Sequence, residues 1–317
     1  METLQIMLKN VIIFVLLAVP GYLLVKGKLL KEKDSGVLSK LLTYVGMPFM
    51  ILSSTLNLNF TPEFTQSMLV VTIVGIFLIL AMFFGTALLV RGDDQKQNGM
   101  LRFCMVFANN GFIGIPLAKA VFGEGSEELA YLIVLNIINN VLMFTMGAYL
   151  ISGDRKTVNV KKAVFNPVLL AFLVGIVLNL CGVSQMVPEI QTYATHFSGI
   201  VTPLSMLVLG IKLAEVPVRR LFVSGKMYYA CVVRLVLFPV IGVALMLVLQ
   251  KLNLFAVTQS MILGVFISSA MPTAGLASAF ADQYRGDSEN AVILTLGTTI
   301  VSTVTIPVLY WVLQFVL

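Results

Sequence analysis

Residues 107–117 read FANNGFIGIPL, with two asparagines, two glycines and a proline inside an apolar stretch. Pro116 has no amide to donate and its ring crowds the carbonyl of Phe112, while Gly111 and Gly114 lack the side chains that hold a helix in shape. A helix should kink or open here. In hydrocarbon each freed backbone group costs several kcal/mol unless protein, water or a ligand satisfies it, so such breaks persist where they are buried in protein or line a cavity. A proline kink packed against a neighbouring helix would account for this stretch taken alone. The binding site of a transport protein would account for it equally well.

The surroundings are as apolar as the stretch itself. Of 317 residues, 58% are hydrophobic and only 11% charged, and mean hydropathy is +0.97, more than a soluble core of this length requires. An all-α polytopic membrane protein is expected. Ten stretches approach the length needed to cross roughly 30 Å of hydrocarbon: residues 6–25, 37–56, 67–90, 101–120, 129–151, 163–181, 193–213, 227–249, 259–281 and 289–316. The loops between them are too short for a soluble domain, so 1–317 reads as a single membrane transport domain. The first span reads as retained and not as a cleaved leader, since only Lys9 precedes it and Lys26, Lys28, Lys31 and Lys33 follow. Cys104, Cys181 and Cys231 lie within spans without metal-ligand spacing, and read as packing residues.

Charge gives the orientation. Seventeen Lys and Arg fall in loops after odd-numbered spans; Lys9, Lys119 and Lys251 fall on the other side, and Arg234 lies within a span. By the positive-inside rule both termini are outside the cytoplasm, in a cell (plasma or inner) membrane. The net charge of +6 is thereby accounted for, and no nucleic-acid partner is expected. Residues 125–130 (GSEELA) resemble 286–291 (GDSENA), and Pro48 in the second span has a counterpart in Pro203 in the seventh. Two sets of five spans, 1–152 and 153–317, would make an inverted repeat, because five is odd.

The ninth span carries a second interruption, SSAMPTAGL at 268–276, with Pro272 and Gly275. Paired breaks in corresponding helices point to a secondary transporter. With NNGFIGIP in the fourth span, MPTAG in the ninth and LLTYVGMPFMILSS in the second, the chain resembles the auxin efflux carrier family over essentially its whole length. That resemblance implies a five-plus-five inverted repeat with broken, crossing helices 4 and 9. It also implies a substrate site beside the crossing and alternating access of an elevator type, one bundle moving against a scaffold. The crossing residues would be Pro116 and Pro272, with Asn109, Asn110 and Thr273 nearby. A homodimer is a further implication. The long central loop of the plant PIN carriers is missing, since only about residues 152–162 join the halves.

Candidate substrate-binding residues are Asn109, Asn110, Gly111, Asn136, Asn139, Asn140, Met271, Thr273 and Ser53. Asn136 shares a helix face with both Asn139 and Asn140, and the three could line a cavity for a carboxylate or form interhelical hydrogen bonds. Met47, Met271 and Phe112 could supply an apolar wall. Arg234 could attract an anion, pair with another helix or snorkel to the cytoplasmic side. No Asp or Glu falls well inside a span, which argues against tight proton or sodium coupling. An uncoupled monovalent anion would be driven outward by roughly 2.3 kcal/mol at 100 mV, close to a fiftyfold gradient. The reading is efflux of a small organic anion, such as malate or an auxin-like acid. Amides and half-helix amino termini would stabilise its carboxylate. The alternatives are a sodium-coupled symporter of the bile-acid type and a ligand-binding membrane sensor. With a lone His and no paired intramembrane aspartates, no catalytic residue, metal site or cofactor is expected.

Overall fold

The computed structural model describes residues 2–31, 34–56, 58–92, 94–158, 161, 165–215 and 218–317. Twelve helices organise these residues. In the first half they are α1 (Glu2–Lys26), α2 (Ser35–Leu56), α3 (Pro62–Leu89), α4 (Gln95–Val106), α5 (Asn110–Phe122) and α6 (Glu127–Ser152). In the second they are α7 (Pro167–Leu180), α8 (Glu189–Ala214), α9 (Gly225–Lys251), α10 (Gln259–Ala270), α11 (Ala277–Gln283) and α12 (Ser288–Leu313). Seven of them (α1, α2, α3, α6, α8, α9 and α12) are long and apolar enough to cross a membrane, and α5, α7 and α10 are shorter apolar helices. Of the ten expected spans, the fourth and ninth are interrupted, as their breaks led one to expect, into α4–α5 and α10–α11. The sixth is short, and its expected start at 163 lies outside the described residues.

Local chemistry sets the helix ends. Thr61 caps α3 by accepting from the Phe64 amide, with Pro62 in the first turn where no amide is needed. Asp94 caps α4, Ser126 caps α6 and Asn166 caps α7. At and just beyond the far end of α2, the Asn179 side chain donates to the carbonyls of Thr55, Leu56 and Leu58, where helical bonding ends. Three π-helical segments each end two residues before a proline: Leu42–Gly46 before Pro48, Asn110–Gly114 before Pro116 and Val232–Leu237 before Pro239. A proline cannot donate to the carbonyl four residues earlier, and a widened turn accommodates that gap.

The helices sort into two groups by what they touch. α1, α2, α7 and α8 pack on one another, as do α3, α4, α6 and α9–α12. Close approach is bought with glycine. A Cβ at Gly21 would stand 2.2 Å from the Leu207 carbonyl oxygen, and one at Gly210 1.9 Å from that of Ala18, so α1 and α8 meet backbone to backbone. In the second group a Cβ at Gly99 would lie 2.0 Å from the Leu150 carbonyl oxygen. The two groups meet at α5, at the breaks beside it and where α1 and α8 touch α12. Outward faces are apolar, as at Phe84, Leu88 and Leu180, which suits contact with lipid tails.

Candidate functional site at the two helix breaks

The first break opens at residues 107–109. Phe107 is extended (φ −95°, ψ 129°) at the end of α4, and the Asn109 side chain accepts from the Phe112 amide to start α5. The second opens because residue 272 is proline. The residue before a proline is pushed out of the helical region, and Met271 is extended (φ −66°, ψ 146°) directly after α10.

The two extended pieces pair. Asn109 N–H donates to the Pro272 carbonyl at 2.8 Å and Ala274 N–H to the Phe107 carbonyl at 2.9 Å, forming an isolated antiparallel bridge centred on Ala108 and Thr273. Each centre is then clamped from outside. The Asn139 amide accepts from Ala108 N–H at 3.0 Å and donates to its carbonyl at 3.1 Å. Thr273 N–H donates to Thr298 Oγ1, and its own hydroxyl donates to the Cys104 carbonyl at 2.8 Å. Freed backbone groups are thus satisfied by protein, as a membrane interior demands.

Arg234 completes the crossing. It is fully buried and donates from Nε to the Met271 carbonyl at 2.9 Å, from Nη1 to Val106 at 3.2 Å and from Nη2 to Ser268 at 3.3 Å. Its guanidinium also lies 4.4 Å from the Phe238 ring centre. One cation therefore serves the carbonyl-bearing ends of both α4 and α10, where the helix dipoles are negative. Of the three roles open to it from sequence, the geometry gives pairing with neighbouring helices; it neither snorkels nor lines the main cavity.

That cavity has a volume of about 550 Å³ and lies against the breaks. Asn109, Gly111, Asn136 and Asn140 line it, with Met47 and Phe112 among its apolar residues, joined by Ala274, Gly275 and Leu276 from the second break. Lys161, Asn166 and Gln283 also line it, from the lysine-rich side, and among the described residues none that lines it is acidic. Asn136 accepts from Asn140 Nδ2 at 3.2 Å, while its own Nδ2 is buried without a hydrogen-bond partner. Gly111 lies beside it in the first turn of α5. A Cβ there would stand 2.6 Å from Met47 Cε and 3.4 Å from Asn136 Oδ1. The amides of such a turn have no partners within their own helix.

The remaining sequence candidates fall elsewhere. Asn110 points to the opposite side of the break, donating to Ser268 Oγ at 2.8 Å. There it lines a small cavity of about 20 Å³ with Ser269 and Asn139. Met271 is fully buried, its side chain against Gly114, and Thr273 is committed to the clamp. Ser53 belongs to a polar cluster with Gln191 and Thr195 between α2 and α8. Pro116 lies within α5, seven residues beyond Asn109, and the Phe112 carbonyl that it cannot serve accepts instead from Ser205 Oγ at 3.1 Å. The crossing itself is made by residues 107–109 with 272–274. Thr43, Tyr44, Phe144, Lys161 and Asn166 also line the main cavity, and nothing in their local sequence marked them. Among the described residues no group of His, Cys, Asp and Glu could hold a metal ion.

The chain is similar in sequence to known membrane transport proteins. The family model described as "Membrane transport protein" matches residues 6–161 and 156–310. An "Uncharacterized transporter" of Methanothermobacter thermautotrophicus is 28% identical over 94% of both chains. Another, from Methanocaldococcus jannaschii, is 25% identical over 96% of this chain and 97% of its own. A Rhizobium meliloti protein named "Putative malonate transporter" is 22% identical over 88% of this chain and 87% of its own. These relatives are transporters and not enzymes by name, and the chain belongs to the membrane transport protein family, the auxin efflux carrier family that its motifs resemble.

Proposed function

We propose that this protein is a secondary carrier of small organic anions, with the carboxylate held at the first break. The observation that carries this reading is Asn136, whose buried Nδ2 lacks an acceptor where a cavity without acidic lining meets the first turn of α5. A carboxylate supplies acceptors for such a donor and is favoured by the positive end of a helix dipole. Arg234, buried behind the crossing and hydrogen-bonded there to three backbone carbonyls, adds to the positive potential. The name of the Rhizobium meliloti relative supports a carboxylate substrate.

In this reading the chain crosses a cell membrane ten times as an inverted repeat, with α4–α5 and α10–α11 as its broken spans and both termini outside the cytoplasm. The cavity then opens to the cytoplasm on the side of Lys161. Alternating access would come from movement of the group containing α3–α6 and α9–α12 against α1, α2, α7 and α8, and uncoupled transport would run outward.

Thermal unfolding of the purified protein with small carboxylates, aromatic acids, amino acids and sugars tests the binding step. Carboxylates should raise the unfolding temperature by mass action, and Asn136→Ala should weaken that effect about tenfold. Stabilisation by neutral ligands alone would sink the reading. One observation favours a sodium-coupled symporter instead: Asn110 Oδ1 is buried without a partner near Ser268 and Ser269. Arg234 donates to the Ser268 carbonyl in the same region, and its charge opposes a cation there. Carboxylate uptake into proteoliposomes that requires sodium would reverse this preference.

A further inference from the structure

Phe112 stands where the two breaks and α8 meet. Its amide donates to Asn109 Oδ1 at 3.2 Å. A Cβ at Gly275 would stand 2.9 Å from its Cδ2, so its ring rests on the backbone of the second break. Its carbonyl is the group that Pro116 cannot serve. In an α-helix the amide four residues on would donate to it, and a proline there has none to give. Ser205 of α8 donates in its place, at 3.1 Å.

The donor has a second acceptor within reach. Ser205 Oγ lies 3.0 Å from the Thr202 carbonyl of its own helix, and a hydroxyl carries a single hydrogen to share between the two. Ser205 is buried, where a hydroxyl left without an acceptor is costly. Turning to Thr202 removes that cost when Phe112 departs. On the acceptor's side, Ser205 and Phe112 line a cavity of about 30 Å³, enough for one water to take over the carbonyl. The bond therefore crosses the boundary between the helix groups and can be released with neither partner orphaned.

We infer that the hydrogen bond from Ser205 to the Phe112 carbonyl is a latch between the two helix groups, holding the arrangement described above and opening when the group containing α5 moves against α8. This rests on the movement proposed above. The latch shares a residue with the cavity, because the amide of Phe112 fixes Asn109 while its carbonyl engages Ser205. A ligand bound beside Asn109 acts on the turn that carries the acceptor, and through that turn its occupancy reaches the boundary between the groups.

The test reads the distance between the groups in the full-length protein by double electron–electron resonance. Nitroxides are placed at Lys26→Cys, at the end of α1, and Lys96→Cys, in the first turn of α4, both exposed. The background is Cys181→Ser, since Cys104 and Cys231 are buried. Without other changes the described arrangement should predominate. Ser205→Ala removes the donor and should lower its ratio to the alternative about fivefold, the worth of one net hydrogen bond. Pro116→Ala attacks the latch from the other side, restoring an amide that serves the Phe112 carbonyl within α5, and should shift the ratio in the same direction. Because both remove one bond, the double variant should shift it no further than the larger single effect, whereas unrelated packing losses would multiply. A second distance whose share neither variant alters, or effects that multiply, would overturn the latch and leave the movement standing. One distance, the same in the labelled parent and in every variant, would overturn the movement itself and the latch with it.

Discussion

The two breaks share a backbone design and differ in what they show to the cavity. Each interrupts an apolar helix with a short extended piece, each piece is hydrogen-bonded to the other, and Arg234 serves the carbonyl ends of both helices. From the first break Asn109 and Gly111 face the main cavity, whereas the second offers it Ala274, Gly275 and Leu276. The polar residue of the second, Thr273, is used up in holding α4 and α12. The polar side chains that face the cavity thus come from one side of a crossing whose skeleton is nearly symmetric. A pair of breaks does not make a pair of equivalent half-sites.

Substitutions can break this comparison in stages. Arg234→Met removes a donor from both breaks at once. Three buried carbonyls would lose charged hydrogen bonds, and a loss of about 3–5 kcal/mol of stability is expected, read as the denaturant midpoint in detergent. A loss below about 1 kcal/mol would mean that the breaks do not depend on a common cation. Asn139→Ala strikes the first break alone. It leaves both polar groups of Ala108 unpaired, at a cost of about 2–4 kcal/mol, against about 1 kcal/mol for Thr298→Val at the second break. Equal costs would contradict the asymmetry.

Gly275→Ala probes the apolar side. The added methyl meets the Phe112 ring and Asn109, and about 1–2 kcal/mol should be lost to overpacking, with carboxylate affinity falling several-fold. Asn136→Ala is the mildest for the fold, because only the bond from the half-buried Asn140 is lost and the residue's Nδ2 has no partner to lose. Stability should stay within about 0.5 kcal/mol of wild type, while carboxylate affinity falls about tenfold, close to 1.4 kcal/mol. A large stability loss without an effect on binding would make Asn136 a packing residue.

Much of the fold could be read from residues that apolar helices normally exclude. Asn, Gly and Pro inside spans marked both breaks, and the rule that a residue before proline leaves the helix places the second one at Met271. Pro116 carried a less direct message. A proline was expected to open the helix, but the chain opens earlier, at 107–109, and Pro116 sits where its missing amide is answered by Ser205. That answer comes from a helix 93 residues away in sequence, beyond any local pattern. The three asparagines of α6 met the same limit. Spacing put Asn136 on a face with Asn139 and Asn140, but only the fold shows Asn139 gripping Ala108 while the other two line the cavity. Ser53 was a weaker candidate by type, since a serine can satisfy a carbonyl on its own helix, and its partners Gln191 and Thr195 lie in the other half of the chain.

The bridge between Ala108 and Thr273 also bears on how the protein is made. When α4 and α5 leave the ribosome, the Phe107 carbonyl and the Asn109 amide still lack their partners, which lie about 160 residues further along the chain. Lipid offers no substitute for those partners. The first half must therefore wait in the bilayer with its broken helix wet, held by a translocation channel, or closed in some other pairing until residues 272–274 arrive. Assembly of the crossing is consequently a late event, and the two halves are obliged to finish folding together.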